Sequence, residues 1–576
     1  MDLKILKMIK RINLSTFQII SSIISGSLFS IISLGGFYKL NPNNISWIEG
    51  DNLTSYIAQL FYLDDRWRFP LGLNPHYGLE QSTNLTYTGP SPILLIIQKI
   101  FLNSTEMQFF GIWVLINLTL HIYFSLKIAN SVGFGRIQSF LLSLLLISPF
   151  LILRTQMHFW LISHFLILWS FYNCIVFFKK NKLSLISISS VVFISYLINA
   201  YLLAMVIVIH LSLVCVIFFN VKYKTHEAFK ILGLCIISFL LALTTIDGFK
   251  KQKSLYESVK ILVSSTYGHH HFNLLSFINP STGFALEYFK EYGRMPPKEY
   301  PFLINFSSLN YSLGNTWGDY EGFTYLGAGT VIFVLAILIL NYRGIFKLAS
   351  TKTWRVILLT GFLITLFSVT NRIGLGAHEM TIPIPILMKW GLSIFRSSGR
   401  FMWVIAYGLI IFAAWRFSSI LNSKRITIFL IICVSLQTVD LYKPLNQIYN
   451  FESQKIQKNT LDENAPQKLV ELKSNKKILR VWPQGDPITN NYAQLNYWAW
   501  ELGMKTDIPY TSRVNMFELK RNESKTFNQL CNNRISSNTI VVVAFSNLSK
   551  LDACRIEASR FVYENHIYFW NGLDSK

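Results

Sequence analysis

Glu49 and Asp51 flank Gly50 in the string IEGDNLTSYIAQLFYLDDRWRFPLGLNPHYGLEQS, residues 48–82, where acids, aromatics, Gly and Pro are denser than anywhere else in the chain. A carboxylate that is partly desolvated yet reachable from water has a raised pKa and suits general-base work. Either acid fits that description, and Asp51 also stands where an N-cap would, ahead of NLTSYIAQLF. The segment that follows has helical spacing and reads as an amphipathic helix along a membrane interface, with Tyr56, Leu60, Phe61 and Trp67 turned to lipid. Asp64 and Asp65 adjoin Arg66 and Arg68, and local ion pairing accounts for them. Glu80 is the last acid of the stretch.

Other groups with chemistry are few. RTQMHFWLISHF carries Arg154, His158 and His164, the last about two turns into an apolar run. An ionisable group at that depth is a functional candidate, although one His is equally satisfied by a hydrogen bond inside a helix bundle. NTWGDYEGFTYLGAG places Asp319 and Glu321 just before an apolar run, and IFRSSGRFMW places Arg396 and Arg400 just before another. Two guanidiniums there can grip phosphate oxygens bidentately, or anchor lipid headgroups. His269, His270 and His271 are consecutive, which is not the i, i+4 spacing that puts two metal ligands on one helical face. No metal site is indicated by these spacings, though a divalent ion is compatible with them.

The elements that must hold these residues are membrane helices. The chain has 576 residues, of which 51% are hydrophobic and 14% charged, with apolar runs of the length that crosses a hydrocarbon core of about 30 Å. Runs near 17–38, 107–130, 137–153, 157–178, 183–198, 200–219, 230–247, 325–341, 355–371, 401–421 and 426–443 make about eleven spans, with Asn199 at the least distinct break. The first is too long for the core of a signal peptide and reads as a retained span. Lys4, Lys7, Lys10, Arg11, Arg136, Lys179, Lys180, Lys182, Lys222, Lys224, Arg343, Lys347, Lys424 and Arg425 then fall on one side, which is cytoplasmic by the positive-inside rule. The formal net charge of +23 is in part this topological signal, and its scatter through short loops excludes a nucleic-acid track.

On the opposite face lie loops 39–106, 248–324 and 372–400 of a membrane domain, 1–443, and a tail, 444–576. APQKLVELKSN has helical spacing, while KILRVW, TIVVVAF and RFVYENHIYFW read as strands, the last a hairpin about Glu564 and Asn565. The fold class expected is therefore an α-helical polytopic membrane protein with a small C-terminal α/β domain outside. Four cysteines sit in apolar runs; Cys531 and Cys554 are in the tail, where an even pair on an oxidising side is a disulfide candidate, two unrelated buried thiols being the alternative.

The strings EGDNLTSYIAQLFYLDDRWRFPLGLNPHYGLE, RTQMHFWLISHFLIL, EGFTYLGAG and FRSSGRFMW resemble an uncharacterised family of bacterial integral-membrane proteins, and the layout resembles the GT-C superfamily of glycosyltransferases. The resemblance implies residence in the bacterial inner membrane and transfer of sugar from a polyprenyl-phosphate donor to a lipid-linked or surface polysaccharide such as O-antigen. It also implies a catalytic base in the first outer loop, at Asp51 with Glu49 as alternative. Arg396 or Arg400, helped by Arg154, His158 or the segment His269, His270, His271, would then stabilise the departing phosphate of an inverting displacement, and Glu80, Asp319 and Glu321 are left for acceptor or sugar. A lipid phosphate leaves readily as an anion, so no cofactor is required. The tail lacks a WWD-type motif, RVWPQGD being the nearest string, which disfavours transfer to protein asparagine. A lipid-linked-saccharide transporter and an O-antigen polymerase or ligase are the alternatives.

Overall fold

A computed structural model describes residues 13–248, 267–280, 319–454, 461, 464–484, 491–511 and 516–571, apart from 82, 90, 103–104, 156–157, 221 and 377. The basic residues of the N-terminus, most of the loop 248–324 and the side chain of Asp319 lie outside the described residues.

The protein is mostly helical and multi-pass. Among the described residues, eight helices are long and apolar enough to cross a membrane: Leu14–Leu34, Phe110–Ser131, Phe159–Lys180, Ala200–Phe219, Thr225–Ile246, Lys352–Val369, Ser398–Ile420 and Ser423–Tyr442. Two bent pairs raise the number to ten if each is one span. Arg136–Leu146 and Pro149–Thr155 meet at 58°; Pro149, which lacks an N–H and clashes with a preceding turn, interrupts what would otherwise be one helix. Ala328–Leu340 and Tyr342–Ala349 meet at 77°. Leu185–Ile198 is apolar but has only 14 residues. Asn199 ends it with extended backbone and caps the next helix, its side chain accepting from the Tyr201 N–H at 2.8 Å.

Two compact units divide the chain. The first comprises Met1–Leu40, Phe110–Leu241 and Val263–Gln454; the second comprises Asn41–Phe109, Ala242–Leu262 and Lys455–Lys576. In the first unit helices approach closely at glycine, as membrane helices do where small residues let backbones touch. A Cβ on Gly329 would collide with the Cys433 carbonyl, and one on Gly111 with the Lys39 carbonyl. Buried Asp440 accepts from Tyr325 Oη at 2.9 Å and from the Ala328 N–H at 2.8 Å, and Gln437 Oε1 accepts from the Thr330 N–H at 3.1 Å. These bonds tie the string FTYLGAG to the last long helix, Ser423–Gln454.

In the second unit a five-stranded sheet is built from β3 (Ile478–Trp482), β4 (Lys505–Thr506), β5 (Thr539–Ala544), β6 (Ser559–Tyr563) and β7 (His566–Trp570), in the order β4-β3-β5-β7-β6; the first unit holds a hairpin of β1 (Arg372–Leu375) and β2 (His378–Thr381). β3 runs parallel to β4 and β5, and β7 antiparallel to β5 and β6. The β6–β7 turn holds Glu564 at φ 50°, as the hairpin expectation requires. Strand β5 is buried along its whole length, which is why its sequence is a run of valines without alternation. Cys531 and Cys554 are joined, with Cα atoms 4.7 Å apart, beside a core of Trp482, Leu530, Val541, Val543 and Phe569. The other four cysteines are free.

The first loop belongs to this sheet rather than standing apart from the tail. Tyr77 bridges Thr506 in parallel register, with the Gly78 N–H donating to the Thr506 carbonyl at 2.8 Å and the Thr506 N–H to the His76 carbonyl at 3.0 Å. The helix expected along a lipid interface is here Gly50–Asp64, and it is a core helix: every residue from Asn52 to Tyr62 is buried, Tyr56, Leu60 and Phe61 included, whereas Trp67 beyond it is exposed. Burial of its polar residues is offset in part by hydrogen bonds: Thr54 and Ser55 hydroxyls donate to the Asp51 carbonyl, each at 2.9 Å. Tyr56 Oη donates to the Glu106 carbonyl at 2.6 Å and Gln59 Nε2 to the Met107 carbonyl at 2.8 Å.

Candidate functional site

The first unit gathers its sparse charges at Glu321. This residue lies in a short turn, Asp319–Gly322, ahead of the helix Ala328–Leu340. Arg400 comes from the turn Ser398–Phe401, and Arg154 from the end of the bent pair. Two glycines allow the approach: a Cβ on Gly322 would collide with the His271 carbonyl, and one on Gly399 would lie 2.7 Å from the Gly322 Cα. The Gly399 N–H donates to the His270 carbonyl at 3.1 Å, locking the three segments together.

Arg400 grips Glu321 as a fork, Nη2 to Oε1 at 2.5 Å and Nε to Oε2 at 2.9 Å. Arg154 Nη1 donates to Oε2 at 3.2 Å and Nη2 to the Glu321 carbonyl at 3.3 Å, while His158 Nε2 lies 3.5 Å from Oε1. All three charged residues are buried. Each guanidinium also rests on an aromatic face, Arg400 on Tyr201 at 4.7 Å and Arg154 on Trp403 at 5.1 Å. Burial pushes the Glu321 carboxyl up, but Arg400, His158 and Arg154 together hold it well below the usual carboxylate range. His158 has left-handed backbone (φ 57°), a conformation that persists only where the surroundings fix it.

Two guanidiniums thus converge on one carboxylate, and Arg396 brings a further positive charge near them. Arg396 is exposed, forms no ion pair among the described residues, and its charge bears on His269 and His270. Burial, with the nearby arginines adding, lowers both imidazoles to about 4. At neutral pH they are therefore uncharged and serve as hydrogen-bonding groups rather than as cations. His271 is wholly buried, its Nδ1 3.0 Å from the Gly268 carbonyl. His164 pairs with Tyr407 through Nδ1 at 2.9 Å, the bundle-internal hydrogen bond that was its alternative reading. Among the described residues no group of His, Cys, Asp or Glu could hold a metal ion.

Asp51 and Glu80 belong to the second unit. Asp51 is in the first turn of Gly50–Asp64, not at its cap, because the helix begins earlier: Glu49 occupies the N-cap position and Gly50 enters the helix at φ 55°. Tyr510 Oη donates to Asp51 Oδ1 at 3.3 Å, and Tyr510 stacks on Tyr492 at 5.6 Å. Glu80 is clasped by Arg480, Nη2 to Oε1 at 2.5 Å and Nη1 to Oε2 at 3.1 Å, and Arg480 Nη1 also reaches buried Asp507 at 3.0 Å. Asp65 forms the local pair expected of it, with Arg68 Nε at 2.5 Å.

A family model described as a domain of unknown function, DUF6311, matches residues 23–442. The chain belongs to the DUF6311 family. No curated protein matches it. Asp51, Arg154, His158, Glu321, Arg396 and Arg400 all lie inside the DUF6311 match, whereas Arg480, Asp507 and the disulfide lie beyond it.

Reading the sequence singled out all three charged members of the Glu321 cluster but assigned Glu321 and the arginines to different ligands. It passed over Tyr201, Trp403 and Asp440. Tyr201 and Trp403 sit among other aromatics in apolar runs, so nothing local marks them. Asp440 had a signal, since an acid within a run that otherwise spans a membrane calls for a partner.

Proposed function

We propose that this DUF6311 protein is a membrane glycosyltransferase that moves a sugar from a polyprenyl-phosphate donor to a lipid-linked or surface polysaccharide. The accompanying topology is about eleven spans, a cytoplasmic N-terminus and a periplasmic second unit, in a bacterial inner membrane. The observation that carries the proposal is the buried Arg154–Glu321–Arg400 cluster and the exposed Arg396 beside it. A fixed cationic environment of this kind stabilises the charge that develops on a departing phosphate, and being already organised it needs no rearrangement during the reaction. Arg400 and Arg154 act by setting that field, since their forks are engaged with Glu321, and Arg396 is the group proposed to touch the phosphate. Asp51 is proposed as the base on the strength of the family resemblance and its position in the first outer loop.

A second reading, transport of a lipid-linked saccharide, is favoured by polar groups buried within the spans, His121 and the His164–Tyr407 pair, and by the two bent helix pairs. Transfer of labelled sugar from polyprenyl-phosphate donors to a membrane acceptor separates the two. The glycosyltransferase reading expects transfer by the wild type and a loss of about 10² to 10⁴ in turnover for Asp51→Asn. Near-normal turnover by folded Asp51→Asn would remove Asp51 from the mechanism. Movement of intact lipid-linked sugar across vesicles without any transfer would replace the reading with the second.

A further inference from the structure

Between the helices Lys352–Val369 and Ser398–Ile420 runs a segment that a water-facing loop would not tolerate. Met380, Ile382, Ile386, Leu387, Met388 and Ile394 are all exposed, Leu387 at 72%. A contiguous exposed apolar patch marks an interaction surface. Its base is rigid: Asn273 Nδ2 donates to the Gly376 carbonyl at 2.8 Å, Asn273 Oδ1 accepts from the Gly376 N–H at 3.0 Å, and the Leu274 N–H donates to the Gly374 carbonyl at 2.9 Å. The helix that precedes it in the chain, Lys352–Val369, is exposed in the same way, with Leu359, Phe362 and Leu366 at the surface and only 11% of its apolar window buried, as suits a helix set in lipid. Hydrocarbon is therefore what covers it.

Its flanks are cationic. Arg372 opens the hairpin and is partly engaged by Glu379 at 3.7 Å, Lys389 lies midway, and exposed Arg396 closes the segment next to the Glu321 cluster. An apolar face ending in an uncompensated guanidinium is complementary to one kind of molecule, a long hydrocarbon chain ending in phosphate.

We infer that residues 372–396 form a membrane-inserted loop that seats an isoprenoid phosphate, the chain along Met380 to Ile394 and the phosphate at Arg396. The inference rests on the polyprenyl-phosphate reading for the identity of the lipid, and to the phosphate contact proposed at Arg396 it adds a seat for the hydrocarbon chain along the loop. Sugar transfer plays no part in it, so it is tested by binding alone.

The experiment measures binding of a C55 polyprenyl monophosphate to the full-length protein in detergent, with inorganic phosphate, phosphatidylglycerol and the uncharged polyprenol as competitors. Leu387→Glu with Met388→Glu, and separately Arg396→Ala, should each weaken binding about tenfold or more while thermal unfolding stays unchanged, since all three side chains are surface groups. The milder Leu387→Ser should give a smaller loss in the same direction. Inorganic phosphate and the polyprenol should compete poorly, each carrying half of the recognised molecule. Equal binding by wild type and all variants would overturn the inference, as would displacement by inorganic phosphate or by phosphatidylglycerol at the concentration of the polyprenyl phosphate. Intact binding with no sugar transfer would support the inference while overturning the glycosyltransferase proposal.

Discussion

Glu321 is the residue on which the first unit's charges depend. Replacing it with Gln would take from buried Arg154 and Arg400 the carboxylate that both engage, and breaking a buried pair from one side costs about 3–5 kcal/mol. Glu321→Gln is therefore expected to lower thermal stability in detergent by that order. Because the folded carboxyl lies well below the ordinary value of 4.5, the stabilisation it provides is fully present above 4.5 and is lost only as pH falls through the lowered value. The deficit of Glu321→Gln should accordingly be the same at pH 5.5 and pH 8; a deficit confined to one of them would mean that a different group carries the charge. All three charged members of the cluster could be picked out by eye in the sequence, because ionisable residues bordering apolar runs are rare. Their partnership was not, since 154, 321 and 400 are far apart along the chain and only the close approach of Gly322 and Gly399 to the His271 backbone brings them together.

At the scale of elements, the second unit holds two opposed titrations. Burial pushes the Asp507 carboxyl up to about 6, against the pull of Arg480. A raised folded value means that this group's contribution is full below its ordinary 3.8 and is lost as pH rises through about 6. Glu80 behaves oppositely: burial raises it, but the Arg480 fork holds it below 4.5, so its contribution is present above 4.5 and is lost on further acidification. From these two groups together, stability should peak between their ordinary values, 3.8 and 4.5, and fall from there to about pH 6. Thermal melts from pH 4 to 8 should show a decline between pH 4 and about 6, levelling off above it, in the wild type and not in Asp507→Asn; an identical decline in both would assign it elsewhere. The disulfide closes a loop of sequence separation 23, for which chain-entropy reasoning gives about 3 kcal/mol. Cys531→Ser with Cys554→Ser should lower the unit's stability by that order, and non-reducing peptide mapping of the wild type should find the linked pair. The strands, their hairpin and the cysteine pair were readable because each is a local pattern or a count. The burial of Gly50–Asp64 was not, since a helix with apolar and small polar residues fits lipid, interface or core equally until its neighbours are known.

For the whole molecule, the proposed orientation makes a firm prediction. A phosphatase fused after residue 576 should be active, which requires an odd number of spans and a cytoplasmic start. An inactive but stably expressed fusion would show an even count, and the short helix Leu185–Ile198 is the first place to look. The sequence by itself determined that the chain is a multi-pass membrane protein with a sheet-bearing tail, because hydropathy over about 20 residues and strand patterning are properties of contiguous segments. Only the tertiary structure decided that the first loop completes the tail's sheet through Tyr77 and Thr506, that Glu80 answers Arg480, and that Glu321 answers Arg154 and Arg400. Each of these is a pairing between distant segments. A polar group's need for a partner is written in its chemistry, but which partner it finds depends on how the chain returns to it.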